Sequence, residues 1–541
     1  MVFAVSLGGV SATSLFPTTV QTDHYSAAVR LSAIPSFTST IHSPTSFGDL
    51  DLEFSSPFPA PGVDATVQVR DTITELFDDR RVSIDSIQPS SQEISDALSS
   101  GVTELGLKFS GGVLVVGVGA IAVIAYARRR RPTPRQFVST GLAGLLSIGT
   151  TGAGILATYQ PGQLSSFRTT GLLGTVRSNA GLLAGVEARA EQVTPYVKNL
   201  LALSAALQEK FIPEEVNQPQ AARFLMVSDI HGANQYPVMK RIIDDEQITA
   251  VIDMGDLINF GRVTEAEVSG IFSAIGRLGV PYVFVRGNHD ASSAADQGLL
   301  QRMARIPNVV LLEPSPQSYT EVKVNGVVIA GFNDPRYFGD DNKNNNQKQQ
   351  PAADGFNRAY ADRPRPDIVV THEPGAARMV ESATLRVNGH MHKNEIEGNR
   401  VTVGTFTGGG VVSHFFDKEG SDKRGENKQG VDKQGVDKQG PAPPVGVPAG
   451  DSGDSGDSGD SGGEPASGLT GQPYAFGIAV FSQTCDLASV TSYTYRNLIQ
   501  GRPAFDDVRV VSGKTISTRE PGVRTCAASL GTVRTTVTLG G

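Results

Sequence analysis

The stretch Arg223-Phe224-Leu225-Met226-Val227-Ser228-Asp229-Ile230-His231 joins an unbroken apolar run to two side chains able to ligate a metal. Four further stretches repeat the arrangement. Ala250-Val251-Ile252-Asp253-Met254 leads to Gly255-Asp256, and Tyr282-Val283-Phe284-Val285 leads to Gly287-Asn288-His289-Asp290. Ile368-Val369-Val370 leads to Thr371-His372, and Leu385-Arg386-Val387 leads to Gly389-His390-Met391-His392. Short apolar runs separated by polar, helix-compatible stretches predict the strands of a layered α/β fold. In such folds the loops beyond the C-terminal strand ends converge, so polar residues delivered there build sites.

The residue types narrow the chemistry. Asp and His with one Asn suit Mn²⁺, Fe or Zn²⁺ better than Ca²⁺, which prefers an all-oxygen shell. A carboxylate can bridge two such cations roughly 3.5–4 Å apart, acidify a shared water and clamp phosphoryl oxygens as charge develops. Asp-x-His or Gly-Asp alone says little; the ordered series, each member after an expected strand, says much more.

That series resembles the calcineurin-like metallophosphoesterase family over residues 223–410, in a membrane-anchored, bacterial-type form. The resemblance implies a four-layer α/β/β/α sandwich and hydrolysis of phosphate mono- or diesters by a hydroxide bound between two divalent cations. It also implies roles. Asp229, His231 and His392 would hold one cation, Asp256 would bridge, and Asn288, His372 and His390 would complete the second site. His289 would stabilise the phosphate and protonate the leaving oxygen, a task suited to imidazole, with Asp290 orienting it. Asn259-Phe260 stands where many members carry Asp-Arg, which argues against the protein-phosphatase branch. Asn333 and Arg336, after the apolar run Val327-Val328-Ile329-Ala330, are candidate substrate contacts, or simply a turn. The Asn- and Gln-rich loop from Asp340 to Asp354 is read as an unstructured insertion, with a lid over the site as the alternative. His24, His42 and His414 have no such context.

Upstream lie two uncharged stretches, 109–127 and 137–159, each long enough to cross a hydrocarbon core of about 30 Å. Arg128, Arg129, Arg130, Arg131 and Arg135 sit between them. Short arginine-rich loops stay on the cytoplasmic side, so this reads as a transmembrane hairpin with both flanks extracytoplasmic, in a multi-pass protein of the cell membrane. Glycines 141, 144, 149, 152 and 154 are expected to let the two helices approach closely. Residues 1–16 are a signal or anchor, or else an unordered N-terminus. Residues 17–108 hold a small β-rich module, and 160–222 a helical connector with a helix starting at Thr194-Pro195. Residues 223–416 plus 473–515 form the catalytic domain, 417–472 a disordered low-complexity insertion, and 516–541 a C-terminal tail.

Composition sets the outer bounds. With 541 residues the chain exceeds one ordinary core. A net charge of −8 implies no basic face, so no nucleic-acid partner is expected; the expected partners are a phosphoester and the bilayer. Cys485 and Cys526 are too few for a cysteine metal site but enough for one bridge outside the cell. The rival reading is a cell-surface sensing or scaffold protein whose metal only stabilises the fold.

Overall fold

Runs buried on both faces read as continuous hydrophobics, and the five runs above do form central strands. The computed structural model describes residues 1–22, 25–32, 34, 38–45, 48–56, 60–69, 91–129, 131–170, 219–340, 344–407, 473–499, 502–517 and 524–538. The helix expected after Thr194-Pro195 and the low-complexity segment 417–472 lie outside these residues.

The N-terminal part begins with helix α1 (Val2–Leu15), followed by strands β1 (Thr18–Gln21), β2 (Tyr25–Ser32), β3 (Thr40–Thr45), β4 (Gly48–Phe54) and β5 (Gly62–Val69). Two long helices come next, α2 (Ser91–Arg128) and α3 (Pro134–Thr158). Both are long and apolar enough to cross a membrane. The turn between them ends in Thr133-Pro134, where the Gln136 side chain accepts the Thr133 N–H and starts α3. Of the glycines expected to bring α2 and α3 together, Gly144 does so, lying against Val113, whereas 141, 149 and 152 face open space. The close approach is made by α1, whose Gly8 and Gly9 lie against Gly112, Val116 and Phe109 of α2. Residues 1–16 are therefore a third helix packed on the hairpin, with Ser6 Oγ 2.7 Å from Ser147 Oγ.

Strand β6 (Leu164–Thr170) then leads toward β7 (Gln220–Val227), α4 (Tyr236–Asp245), β8 (Ala250–Asp253), α5 (Val263–Val268), α6 (Ile271–Gly276), β9 (Tyr282–Phe284), α7 (Gly298–Met303) and β10 (Val309–Leu311). The next group is β11 (Ser318–Val324), β12 (Val327–Gly331), α8 (Asn345–Tyr360), β13 (Ile368–Val370), α9 (Pro374–Met379), β14 (Leu385–Asn388), β15 (Glu395–Glu397) and β16 (Arg400–Thr402). The chain closes with β17 (Tyr474–Ser482), β18 (Leu487–Ile499), β19 (Arg502–Ser512), α10 (Gly513–Ile516) and β20 (Thr532–Thr538).

These strands make two sheets, ordered β1-β2-β5-β3-β4-β6-β19-β18-β17-β7-β8-β9-β10 and β15-β16-β14-β13-β12-β11-β20. Phe224, Met226, Ile252 and Val283 on one sheet meet Ile329, Val370 and Val387 on the other in a closed apolar layer. Helices α4 to α7 cover the outer face of the first sheet, and α8 with α9 covers that of the second. The result is the expected α/β/β/α sandwich. Parallel pairing aligns Val227 with Asp253 and Asp253 with Phe284, and Gly331 with Val370 and Val387, so the loops that follow emerge at one edge.

Three expectations are corrected. The loop after Asp340 is a helix, α8, because Gln349 is buried against Asp334 and Phe356 and Tyr360 join an apolar cluster. The tail expected at 516–541 contains β20, which pairs along β11. The connector begins with β6, which pairs with β4 on one side and β19 on the other and so fuses the N-terminal module to the catalytic sheet. Arg168 grips Asp507 across that seam, and Arg509 grips Glu53.

Cys485, in the β17–β18 turn, is bonded to Cys526 ahead of β20. The bridge closes a loop of 41 residues and joins strands of the two sheets. Replacing Cys526 with serine is expected to lower stability by about 2–4 kcal/mol, read as a lower urea midpoint than that of the oxidised parent.

Candidate metal centre

Each expected ligand follows its strand by two to four residues, and five of the seven stand on backbone that most side chains avoid. Asp229 (φ 54°), His231 (49°), Asp256 (58°), His390 (68°) and His392 (52°) all occupy the left-handed region. Such residues cost about 1–3 kcal/mol each and cluster at functional sites. Here the turned backbone aims side chains from separate loops at one point. Gly389 must be glycine, since a Cβ there would lie 1.8 Å from Ser228 Oγ.

The ligand atoms gather in two groups, Asp229 with His231 and His392, and Asp256 with His372 and His390. Within the first, His231 Nε2 and His392 Nε2 are 3.2 Å apart. Within the second, His372 Nε2 is 3.1 Å from His390 Nδ1 and 3.0 Å from Asn288 Oδ1. Asp256 lies between the groups, its Oδ2 3.2 Å from His372 Nε2 and 4.0 Å from His231 Nε2. Asp229 Oδ1 is buried without a hydrogen bond, although His392 Nε2 is 3.2 Å away. Nitrogens facing one another beside an orphaned carboxylate oxygen fit the coordination shell of a cation: bonds of about 2.1 Å at right angles give edges of about 3 Å. The residues present therefore fit two divalent ions.

Surrounding groups fix the ligand orientations, as carboxylate and carbonyl partners do for metal-bound histidines. His372 Nδ1 donates to the Met254 carbonyl at 2.8 Å, leaving Nε2 for the centre. His390 has its Nε2 3.3 Å from Glu373, which in turn receives Arg336 at 2.6 Å. Arg336 is 3% exposed and is also held by Asp334. It is thus a support for Glu373 and His390, and the substrate contact expected of it is not made available. Asn333 is likewise occupied, accepting the Arg286 N–H and donating to the Glu313 carbonyl.

His289 projects over the first group, its ring 4.9 Å from that of His231. Its Nδ1 donates to the Asn259 carbonyl at 2.6 Å, so Nε2 is the nitrogen that faces outward chemistry. Asp290 does not orient this ring as expected. Its carboxylate accepts the N–H groups of Asp256, Leu257, Ile258 and Gly287 at 2.8–3.1 Å, which uses its acceptor capacity to set the loop carrying Asp256. Beside His289 stand Phe338, 5.6 Å away, and Phe260, 5.3 Å from Phe338; they are 38% and 46% exposed. This aromatic wall and Glu373 were missed in the sequence. Glu373 directly follows His372, and Phe260 directly follows the variant Asn259, so adjacency was the available signal.

Electrostatics follow from burial in a crowd of like and unlike charges. Burial pushes Asp256 up, but the charge and hydrogen bond of His372 together with the neighbouring His289 and His231 outweigh it and hold the carboxyl well below its usual range. Asp229 is likewise pushed up by burial and pulled below its usual range by His392 and His372. Burial holds His231 down to about 4. His372 is pushed down by burial yet raised to about 10 by Asp256, so its proton serves as the cation of the metal-free centre.

A sequence profile of the calcineurin-like phosphoesterase family matches residues 222–396. No curated protein matches the chain. Among solved structures, a dimetal phosphatase from Danio rerio aligns at 10% identity over 54% of this chain and 99% of that one, with a TM-score of 0.30. A conserved uncharacterized protein of Streptococcus pneumoniae, described as a predicted phosphoesterase, aligns at 12% over 54% of this chain and 97% of that one, with a TM-score of 0.21. A 5'-nucleotidase precursor from Thermus thermophilus aligns at 11% over 55% of both chains, with a TM-score of 0.25.

Because a ligating histidine must be neutral, cation uptake has to expel the His372 proton at any pH below about 10. The affinity for the second cation is therefore expected to rise roughly tenfold per pH unit between about pH 7 and 9. Titration calorimetry in buffers of different ionisation enthalpy would count the released proton. An affinity flat across that window would contradict the assignment.

Proposed function

We propose that residues 222–396, which match the calcineurin-like phosphoesterase profile, cleave phosphate mono- or diesters at a two-cation centre on the outer face of a membrane. The observation that carries the reading is the convergence of Asp229, His231, Asp256, Asn288, His372, His390 and His392 into two adjoining groups that share the Asp256 carboxylate.

When bound, divalent cations such as Mn²⁺, Fe or Zn²⁺ would supply an acidified water as nucleophile and neutralise charge on the phosphoryl oxygens. The remaining work falls to side chains. His289, with Nδ1 fixed on Asn259, offers Nε2 to the ester oxygen that leaves. Its second donor keeps the ring in one orientation through both protonation states. Asp290 keeps the Asp256 loop in place from behind. Phe260 and Phe338 offer the leaving group a flat apolar surface next to His289. A structural metal needs no half-exposed, non-ligating histidine at its rim, so His289 stands against the scaffold reading.

The location follows from α2 and α3 read as membrane spans. Arg129, Arg130 and Arg131 lie between them in sequence, with Arg128 and Arg135 at the facing helix ends, and a short turn so charged stays in the cytoplasm. The β module and the catalytic sheet lie toward the opposite end of the hairpin, where Leu31 packs on Leu105 and Phe109. A Cys485–Cys526 bridge fits an oxidising compartment.

Two experiments test this. In the full-length protein, His289→Ala is expected to reduce kcat by about 10²–10⁴-fold without loss of bound metal, and Asp256→Asn to lose metal and activity together. Normal turnover in either variant contradicts the mechanism. For location, a membrane-impermeant maleimide should label Lys514→Cys in intact cells, and Arg135→Cys only after permeabilisation. The reverse pattern inverts the topology.

A further inference from the structure

We propose that the cavity between the β module and the helical hairpin is a binding site for the acyl chain of a membrane lipid. The inference rests on the reading of α2 and α3 as membrane spans. The cavity has a volume of about 440 Å³, within the roughly 300–1,000 Å³ usual for small-molecule sites. Val102, Leu105 and Phe109 of α2 and Ile148 of α3 form one wall, and Ile41 and Val63 of the module face them. Among the described residues no charged side chain lines it, and a space so lined favours an apolar guest.

Two observations identify the guest. Leu107 and Leu156 line the cavity and yet are 70% and 68% exposed, so it opens sideways onto the surface that the hairpin presents to its surroundings. That surface continues along α2 through Leu114, Val115 and Val118, all exposed. In a bilayer the mouth therefore meets lipid chains directly. The second observation concerns volume. A Cβ added at Gly106 or Gly152 would meet nothing within 4 Å, and both residues line the space. Glycine is a poorer helix former than alanine, so at these two positions helix stability is given up while room is kept.

A chain lodged here would leave its polar head at the level of the module, on the side of the bilayer where the catalytic domain stands. The same β4 whose Phe54 lines the cavity carries Glu53 on its other face, bound to Arg509 of the catalytic sheet. The cavity and the hydrolytic domain are thus walls of one structure.

The test uses the full-length protein in nanodiscs of phosphatidylcholine containing a fraction of phosphatidylcholine with a diazirine at the end of one acyl chain. After irradiation, adducts are mapped by peptide mass spectrometry. Adducts are expected on strand residues Ile41 or Val63 as well as on Leu114 and Val118 of α2. Gly106→Phe and Gly152→Phe each project a ring into open space and should lower the strand adducts roughly tenfold, because a phenyl side chain takes up much of the room. Helix adducts should stay unchanged in both variants, which also shows that they fold and insert. Adducts confined to the helices, or strand adducts that persist in both variants, overturn the proposal. Adducts on neither overturn the membrane-spanning reading and the proposal with it.

Discussion

The left-handed backbone at the strand ends is the constraint on which the rest of the molecule depends. Five ligand-type residues hold positive φ, each against its intrinsic preference. Only a surround that over-determines the geometry keeps them there. The first loop is laced to the second by N–H groups of Asp229, His231 and Gly232 donating to carbonyls of Gly255, Asp256 and Leu257. Hydroxyls of Thr405 and Thr407 tie the Asp229 and Ile230 carbonyls from the other side. Behind them, two apolar layers hold the strands in register, so the strain is supported by sheet packing and not by the site itself.

The second constraint is charge. Asp229 and Asp256 are buried, with His231 and His372, where an unpaired carboxylate would be costly. The centre meets this with one raised histidine, His372, beside two lowered ones, His231 and His390. His372, beside Asp256, keeps a proton, while His231, dominated by burial, does not. A site whose metal-free form already carries a proton where a cation fits is poised for exchange, because binding replaces one positive charge with another in a pocket already shaped for it. Asp334, Arg336 and Glu373 extend the same logic outward, the guanidinium meeting a carboxylate on either side, with Glu373 also beside His390 Nε2.

Which parts were readable from sequence follows from how local their causes are. The seven candidate ligand positions were legible because each comes shortly after an apolar run, a relation between near neighbours in the chain. A layered α/β fold followed from the same runs, and the sandwich from the family resemblance. What was not legible depends on distant pairing. Arg336 looked available because its partners Asp334 and Glu373 declare themselves only after folding; one of them is 37 positions away. Strand β6 was lost in an expected connector because its mates, β4 and β19, come from opposite ends of the chain, with Arg168 and Asp507 separated by 339 positions. Helix α8 was misread as unstructured because Asn and Gln have modest helical preference, and burial of Gln349 and Phe356 overrode it. The glycines of α3 suggested helix contact but mostly border open space, since glycine marks absent bulk without saying what uses it.

On the proposed reading of α2 and α3 as membrane spans, the seam at β6 changes what attachment would mean. A flexible tether would let a catalytic domain sample many heights and orientations above a bilayer. Here β4, β6 and β19 are hydrogen-bonded neighbours, and two arginine–carboxylate pairs cross the joins. Four strand steps, β6-β19-β18-β17-β7, separate the seam from the strand that delivers Asp229. At about 4.8 Å per step the centre lies roughly 20 Å across the sheet from β6. With the N-terminal module seated on the hairpin, that offset is set by backbone hydrogen bonds and not by a linker. On the proposed reading of α2 and α3 as membrane spans, the anchor is thus part of the site's geometry and sets from which side a phosphoester reaches His289 and the paired candidate ligands.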